Sequence, residues 1–335
     1  MDMDTTKINA FKIIKYSILL LYGYFLHLND LLTFENRLKM HLILVPVFKL
    51  FNYYNGNNKR PFLQVLYSVV TDNILAIIIF KFVYTQLTGK YFTLFFPILG
   101  FFIIFQELIE FYLFPEGNYL VKVRNGIMDF TPLPINVMIY YYVSTLLDFK
   151  YMSSQYTFGW FIVWMAFSDF FFGIAHVLMH KIEYLWKNSH SIHHEYKLEN
   201  VNSFANFYSH FFDSIVMSGS FIIPIMCFQI ISGINLPYFL IIEGNISAGN
   251  AHNKYVSNHI TCPFFFEYDL LDQTLSNYFG SKQVSEWHHY HHVKTSKHYT
   301  LYGLLNEEII INIAETIISL VGLKVDFKKD EEKDD

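Results

Sequence analysis

Apolar runs about as long as a bilayer is thick are the strongest constraint on how this chain can fold. The segment Phe158–His180 carries one charged side chain, Asp169, among aromatic and aliphatic residues. About 20 mostly apolar residues cross a hydrocarbon core as a helix. Inside lipid only helices or closed barrels satisfy every backbone group. Comparable runs cover Phe11–Leu31, Leu66–Leu87 and Tyr91–Phe114, and shorter ones cover His41–Tyr54 and Pro132–Leu147. Ile215–Ile242 is interrupted by Pro224, Gly233 and Pro237. This predicts a helical hairpin that turns near Gly233–Pro237 without crossing fully. None of these runs has the alternation of a barrel strand, so the expected fold is all-α, a multi-span transmembrane helical bundle.

Composition agrees. Of 335 residues, 53% are hydrophobic and 16% charged, against roughly 25% charged in soluble domains. The net charge of −5 comes with no basic patch, which excludes nucleic acid as a partner. Cys227 and Cys262 have neither metal-binding spacing nor a disulfide framework. Lys12 and Lys15 precede the apolar run Tyr16–Leu28, and no small-residue cleavage site follows. That segment reads as a retained first helix or interfacial anchor. The expected organisation is a transmembrane region over 1–150, a catalytic domain over 151–310, and an amphipathic segment with a charged tail (KKDEEKDD) over 311–335.

Thirteen of the fifteen histidines fall after residue 175. They form His176-x3-His180, His190-x2-His193-His194 and His288-x2-His291-His292. A spacing of four puts His176 and His180 on one helix face at the end of a membrane span. In the other two clusters, spacings of three and four set one imidazole beside two more. The two clusters share a local geometry and are expected to face each other across one site. Clustered imidazoles repel when protonated, whereas a bound cation keeps them neutral. Zinc needs only four ligands and thiolates are absent, so eight or more imidazoles call for two ions, with iron as the redox candidate. His252 is a further candidate ligand. His210, His289 and His298 could be ligands or hydrogen-bonding partners, and Asp169 and Glu195 could orient an imidazole from behind. His27, His41 and His259 read as structural or surface residues. No side chain is expected to act as a catalytic group beyond the metal centre. Such a centre, using O2 on a C–H bond, would draw an apolar substrate from the surrounding lipid.

The ordered His-x3-His, His-x2-His-His and His-x2-His-His set resembles the fatty acid hydroxylase / sterol desaturase superfamily of membrane di-iron oxygenases. Asp169-Phe170 resembles its Asp-Phe lead-in, and His193-His194-Glu195-Tyr196-Lys197 its His-His-Glu-Tyr stretch. Asn206-Phe207-Tyr208-Ser209-His210 looks like its Tyr-Ala-His-Pro element. Ala251-His252-Asn253-Lys254-Tyr255 is similar to an element of C4-methylsterol oxidases, and Tyr302-Gly303 resembles the Tyr-Gly after the last cluster. Val177, Phe211, Asp213 and Leu304–Glu307 depart from the family pattern. The resemblance covers about residues 160–305. It implies a cytosolic histidine-rich helical cap on the bundle and residence in the endoplasmic reticulum membrane. It also implies two iron ions and electrons from NAD(P)H through cytochrome b5 or a similar separate carrier. The implied reaction is O2-dependent hydroxylation, oxidation or desaturation of a sterol or other lipid, with C4-methylsterol oxidation foremost. The alternatives are a fatty-acyl or sphingolipid hydroxylase, and a non-catalytic metal-binding membrane protein.

Overall fold

The structure is a computed structural model. It describes residues 5–55, 61–84, 158–195, 209–232, 239–251, 261–279 and 298–323, together with isolated positions that include 288, 291 and 292. Among the described residues there are helices and no β-strand, so the all-α expectation holds. The runs expected at 91–114 and 132–147 lie outside the described residues apart from isolated positions.

The longer helices are α1 (Thr5–Leu28), α2 (Phe34–Asn55), α3 (Phe62–Tyr84), α4 (Phe158–Lys181), α5 (Phe211–Ser232), α6 (Phe239–Ala251), α7 (Phe266–Phe279) and α8 (Glu307–Val321). Segments of α1, α3 and α4 are long and apolar enough to cross a membrane: Ala10–Leu28, Phe62–Lys81 and Phe158–Lys181. Three such helices mark the chain as a membrane protein. The interrupted run at 215–242 becomes α5 and α6, which pack against each other.

The helix α4 is the axis of the bundle, packing against α5, α8 and α1. Its lower half enters an aromatic core in which Phe161 stacks on Phe265 with ring centres 3.7 Å apart. Trp164 is fully buried there and donates its indole N–H to the Phe221 carbonyl. The upper half of α4 lies against α8. A Cβ on Gly173 would come within 2.9 Å of Ile310, so only glycine allows this approach. Val177, one of the positions that depart from the pattern the sequence resembles, is buried against Tyr299, Ile310 and Ala314. An arginine there would carry its charge into an apolar contact. Ile182 takes extended backbone (φ −88°, ψ 109°) and ends the helix.

The helix α8 packs on α4. Asn306, one of the residues that depart from the family pattern, caps it by accepting the Glu308 N–H at 2.9 Å. Gly322 closes it in the left-handed conformation (φ 70°).

Buried ion pairs join distant helices. Arg37 on α2 is fully buried and pairs with Glu267 on α7, with Nη1 2.7 Å from Oε1. Lys49 on α2 reaches Asp72 on α3 at 2.5 Å. Lys15 on α1 reaches Asp272 on α7 at 2.5 Å. Charges in a bundle of this kind turn inward and pair. His41 is buried, hydrogen-bonded to the Pro263 carbonyl at 3.1 Å, a structural role as expected.

Candidate metal centre

The upper end of α4 presents His176 and His180 toward the chain that follows it. That chain continues as a helical turn (Glu183–Leu185) and a π-helical turn (Trp186–His190). The Ser191 N–H bonds back to the Trp186 carbonyl, five residues earlier. π-helical turns recur at functional sites because the wider ring redirects side chains. Here the turn delivers His190, and one further helical turn, closed by the His194 N–H on the His190 carbonyl at 3.3 Å, delivers His193 and His194. The third cluster repeats that turn, with the His292 N–H on the His288 carbonyl at 3.4 Å.

Eight imidazoles converge, in two groups. His176, His180, His190, His194 and His291 form one, and His193, His288 and His292 the other. Within each group the nitrogens offered all lie within 4.8 Å of one another. The groups adjoin, with the His194 and His292 rings 4.5 Å apart. The two clusters expected to face each other across one site do come together there, and each contributes to both groups. Each His-x2-His-His turn is divided: positions i and i+4 go to one group and position i+3 to the other. On a helix, residues i+3 and i+4 fall on opposite sides of residue i, so each turn can feed both groups.

The donor set fits metal ions. Nitrogens bound to one ion at right angles with bonds of about 2.1 Å lie about 3.0 Å apart. The Nε2 separations are 3.0 Å for His180–His190, 3.2 Å for His190–His194 and 2.9 Å for His180–His291. His176 donates Nδ1–H to the Tyr299 carbonyl at 2.9 Å. Its Nε2 is buried without a hydrogen-bond partner among the described residues, a lone pair aimed into the site. His190 donates Nδ1–H to Asp213 at 3.0 Å. Each contact fixes the tautomer that leaves Nε2 free to coordinate. Burial first, then the facing imidazoles of His292 and His180, holds His194 well below the ordinary imidazole range, so its ring is neutral and available. Burial raises the Asp213 carboxyl, but His190 outweighs it, and the group stays below its usual value as a charged acceptor.

The remaining candidates lie elsewhere. Asp169 meets no imidazole. Its two oxygens accept the backbone N–H groups of Leu301, Tyr302 and Leu304 at 2.8 Å and of Leu305 at 3.4 Å. It thereby holds the segment whose Tyr299 carbonyl steadies His176. Glu195 is exposed at the end of its turn. His210 is exposed and its Nδ1 accepts the Phe212 N–H at 3.2 Å, capping α5. His298 has positive φ (67°), and its backbone N–H bonds to Glu307 at 2.5 Å. None of these four belongs to either group. His252 and His289 lie outside the described residues. Sequence reasoning passed over Tyr299 and Asp213 as supports. The available signal was Asp213 itself, an acid in the first turn of an otherwise apolar helix.

A helical membrane protein with a histidine cluster able to hold metal ions at the end of a span defines the class. Within it, residues 161–309 match the fatty acid hydroxylase family, the family of the fatty acid hydroxylase / sterol desaturase superfamily that this region resembles. The chain is an oxidoreductase of the lipid hydroxylase or desaturase type. No curated protein and no solved structure matches the chain.

Proposed function

We propose that the protein is a di-iron oxygenase of the endoplasmic reticulum membrane. It hydroxylates, oxidises or desaturates a sterol or other lipid, with C4-methylsterol oxidation as the leading reaction. Electrons come from NAD(P)H through a separate carrier such as cytochrome b5, and the histidine site faces the cytosol. The observation that carries this reading is the convergence of eight imidazoles as a five and a three. That donor set exceeds one ion's need and contains no thiolate. Bound there, iron supplies the reduction of O2 and the oxidation of a substrate C–H bond. His252, which directly follows α6, is a ninth candidate ligand.

The chain's own residues hold and dry the site. Asp213 and the Tyr299 carbonyl fix two imidazoles. Phe172, buried, lies edge-on to His176 and His288 at 5.2 and 6.0 Å, an apolar wall that touches both groups and excludes water. A lipid alongside α4 needs no nucleophile from the protein.

Detergent-purified protein is expected to hold two irons per chain and to take up O2 with reductant and lipid. His193→Ala and His291→Ala, one from each group, abolish that uptake while the protein still inserts. Full activity in either variant defeats the reading. Lipid analysis of a deletion strain separates the substrates: 4-methylsterols accumulate if the sterol reaction is right, and 2-hydroxy acyl chains disappear if the fatty-acyl alternative is.

A further inference from the structure

The two histidine groups differ in how they meet the surface. His193, His288 and His292 are all buried, whereas His180 and His194 in the group of five are half-buried. Trp186 is in contact with both. Its ring centre is 4.7 Å from that of His180, tilted by 36°, and 5.3 Å from that of His194. His190 follows at 5.9 Å. Trp186 thus meets three of the five candidate ligands, and it is itself half-buried. Phe172 and Tyr299 also meet ligands, but they are only 6% and 1% exposed, so they wall the site from inside. The indole joins the ligands to the surface.

The backbone fixes it there. The Trp186 N–H bonds to the Ile182 carbonyl at 2.9 Å, and its own carbonyl accepts the Ser191 N–H across the π-helical turn. That turn opens on Trp186 and closes on His190. The same irregular stretch that delivers a ligand therefore also sets an aromatic ring against the ligands, as π-turns at functional sites redirect side chains. The residues around it, Glu183, Tyr184, Lys187 and Asn188, are exposed, and Glu183 and Lys187 pair with each other. A partner approaching this turn meets a nearly neutral face with the indole in it.

A packed ring between surface and ligand has a particular use in a redox centre. Electron tunnelling weakens exponentially with distance, and it weakens faster across open gaps than through packed and bonded atoms. His180 lies one ring from Trp186, and its Nε2 converges with those of His190 and His291 where an ion would sit.

We propose that Trp186 is the electron-entry residue of the metal centre. A one-electron carrier docks on the 183–188 turn, and its electron passes through the indole and His180 to the ion held by the five histidines. In each delivery the carrier is oxidised by one electron and one ferric ion becomes ferrous, with no bond formed or broken. Two deliveries reduce the pair, the second ion through the adjoining rings of the two groups. The proposal rests on the oxygenase reading above and names the face through which its separate carrier acts.

The test injects the electron without a natural carrier. The full chain, loaded with ferric iron in nanodiscs, carries a ruthenium polypyridyl label on Asn188→Cys, with Cys227→Ser to keep the label at one place. A flash in the presence of ascorbate reduces the label, which returns to its resting state by giving one electron to the iron, followed as loss of ferric absorbance. Label, attachment and driving force stay constant when Trp186 is changed. Trp186→Leu is expected to slow the transfer severalfold at equal iron content, and Trp186→Phe, which keeps a smaller ring, to slow it less. A second readout needs no iron and no turnover. Co2+ titrated into the stripped, unlabelled chain should quench tryptophan emission, and Trp186→Phe should remove a large share of that quenching. An unchanged rate in either variant, no transfer from the label in the parent chain, or unchanged quenching in Trp186→Phe overturns the proposal. The two readings fail separately. Trp186-dependent reduction without an O2-dependent lipid product removes the oxygenase and keeps the entry route. Lipid oxidation with reduction that ignores Trp186 removes the route and keeps the oxygenase.

Discussion

Asp213 shows how much a metal site depends on residues that never touch the metal. Its carboxylate receives Nδ1–H of His190, and both side chains are almost fully buried. Asp213→Asn keeps the shape and an acceptor oxygen but removes the carboxylate charge that holds the His190 ring by its Nδ1–H. The expected loss is about 10- to 100-fold in metal affinity, read by competition with a chelator, with unchanged helical circular dichroism. Every histidine of the two groups was legible as a candidate, because imidazoles at helical spacing stand out in an apolar chain. Their partition was not legible. It depends on the π-helical turn at Trp186–His190 and on the meeting of two turns almost a hundred residues apart, and neither leaves a local mark. Asp169 was misread for a related reason. Two turns from His176 on the same face, it suggested an imidazole partner, but four backbone N–H groups of a later segment occupy it instead.

Among the elements, α4 follows its sequence almost residue for residue, 158–181 against the expected 158–180, because one unbroken apolar run defines it. The helix α2 does not. It begins at Phe34, seven residues before the expected start, since Glu35, Asn36, Arg37 and Lys39 look like loop until Glu267 is seen to neutralise Arg37 across 230 positions of sequence. Hydropathy registers the charge of a buried ion pair and misses its partner. The contact between α4 and α8 yields a sharper expectation. Gly173→Val would push side-chain atoms into Ile310. It should cost about 1–3 kcal/mol, seen as a lower thermal midpoint in detergent, and Ile310→Ala in the same chain should restore part of it. Equal midpoints for Gly173→Val and the parent protein would contradict the close packing.

For the whole molecule, pH sensitivity follows from acids sealed inside the bundle. Glu243 accepts the Phe264 N–H at 2.9 Å and Asp269 the Cys262 N–H at 2.5 Å. Burial pushes them up to about 8 and about 7 respectively, whereas in the unfolded chain such groups titrate near 4. Between about pH 4 and pH 8 the folded protein holds protons that the unfolded chain has released. The stability these two groups contribute is therefore full at the acidic end and is lost as pH rises through 7 and 8. Thermal midpoints should fall from about pH 5.5 to about pH 8.5 in the parent protein, and fall less in the double variant Glu243→Gln, Asp269→Asn.

The division of each His-x2-His-His turn between the two groups also governs how the centre fills. An ion that settles among the five histidines immobilises His190, His194 and His291, and so freezes the turns that carry His193, His288 and His292. The second ion then meets ligands whose ordering the first has already accomplished, which is positive cooperativity by linkage. Titration of the stripped protein should be sigmoidal, with two-metal and metal-free chains dominating native mass spectra at half saturation and one-metal chains scarce. His291→Ala should flatten the curve as well as lower its endpoint. A hyperbolic titration through an abundant one-metal species would mean that the two halves load independently in spite of their shared turns.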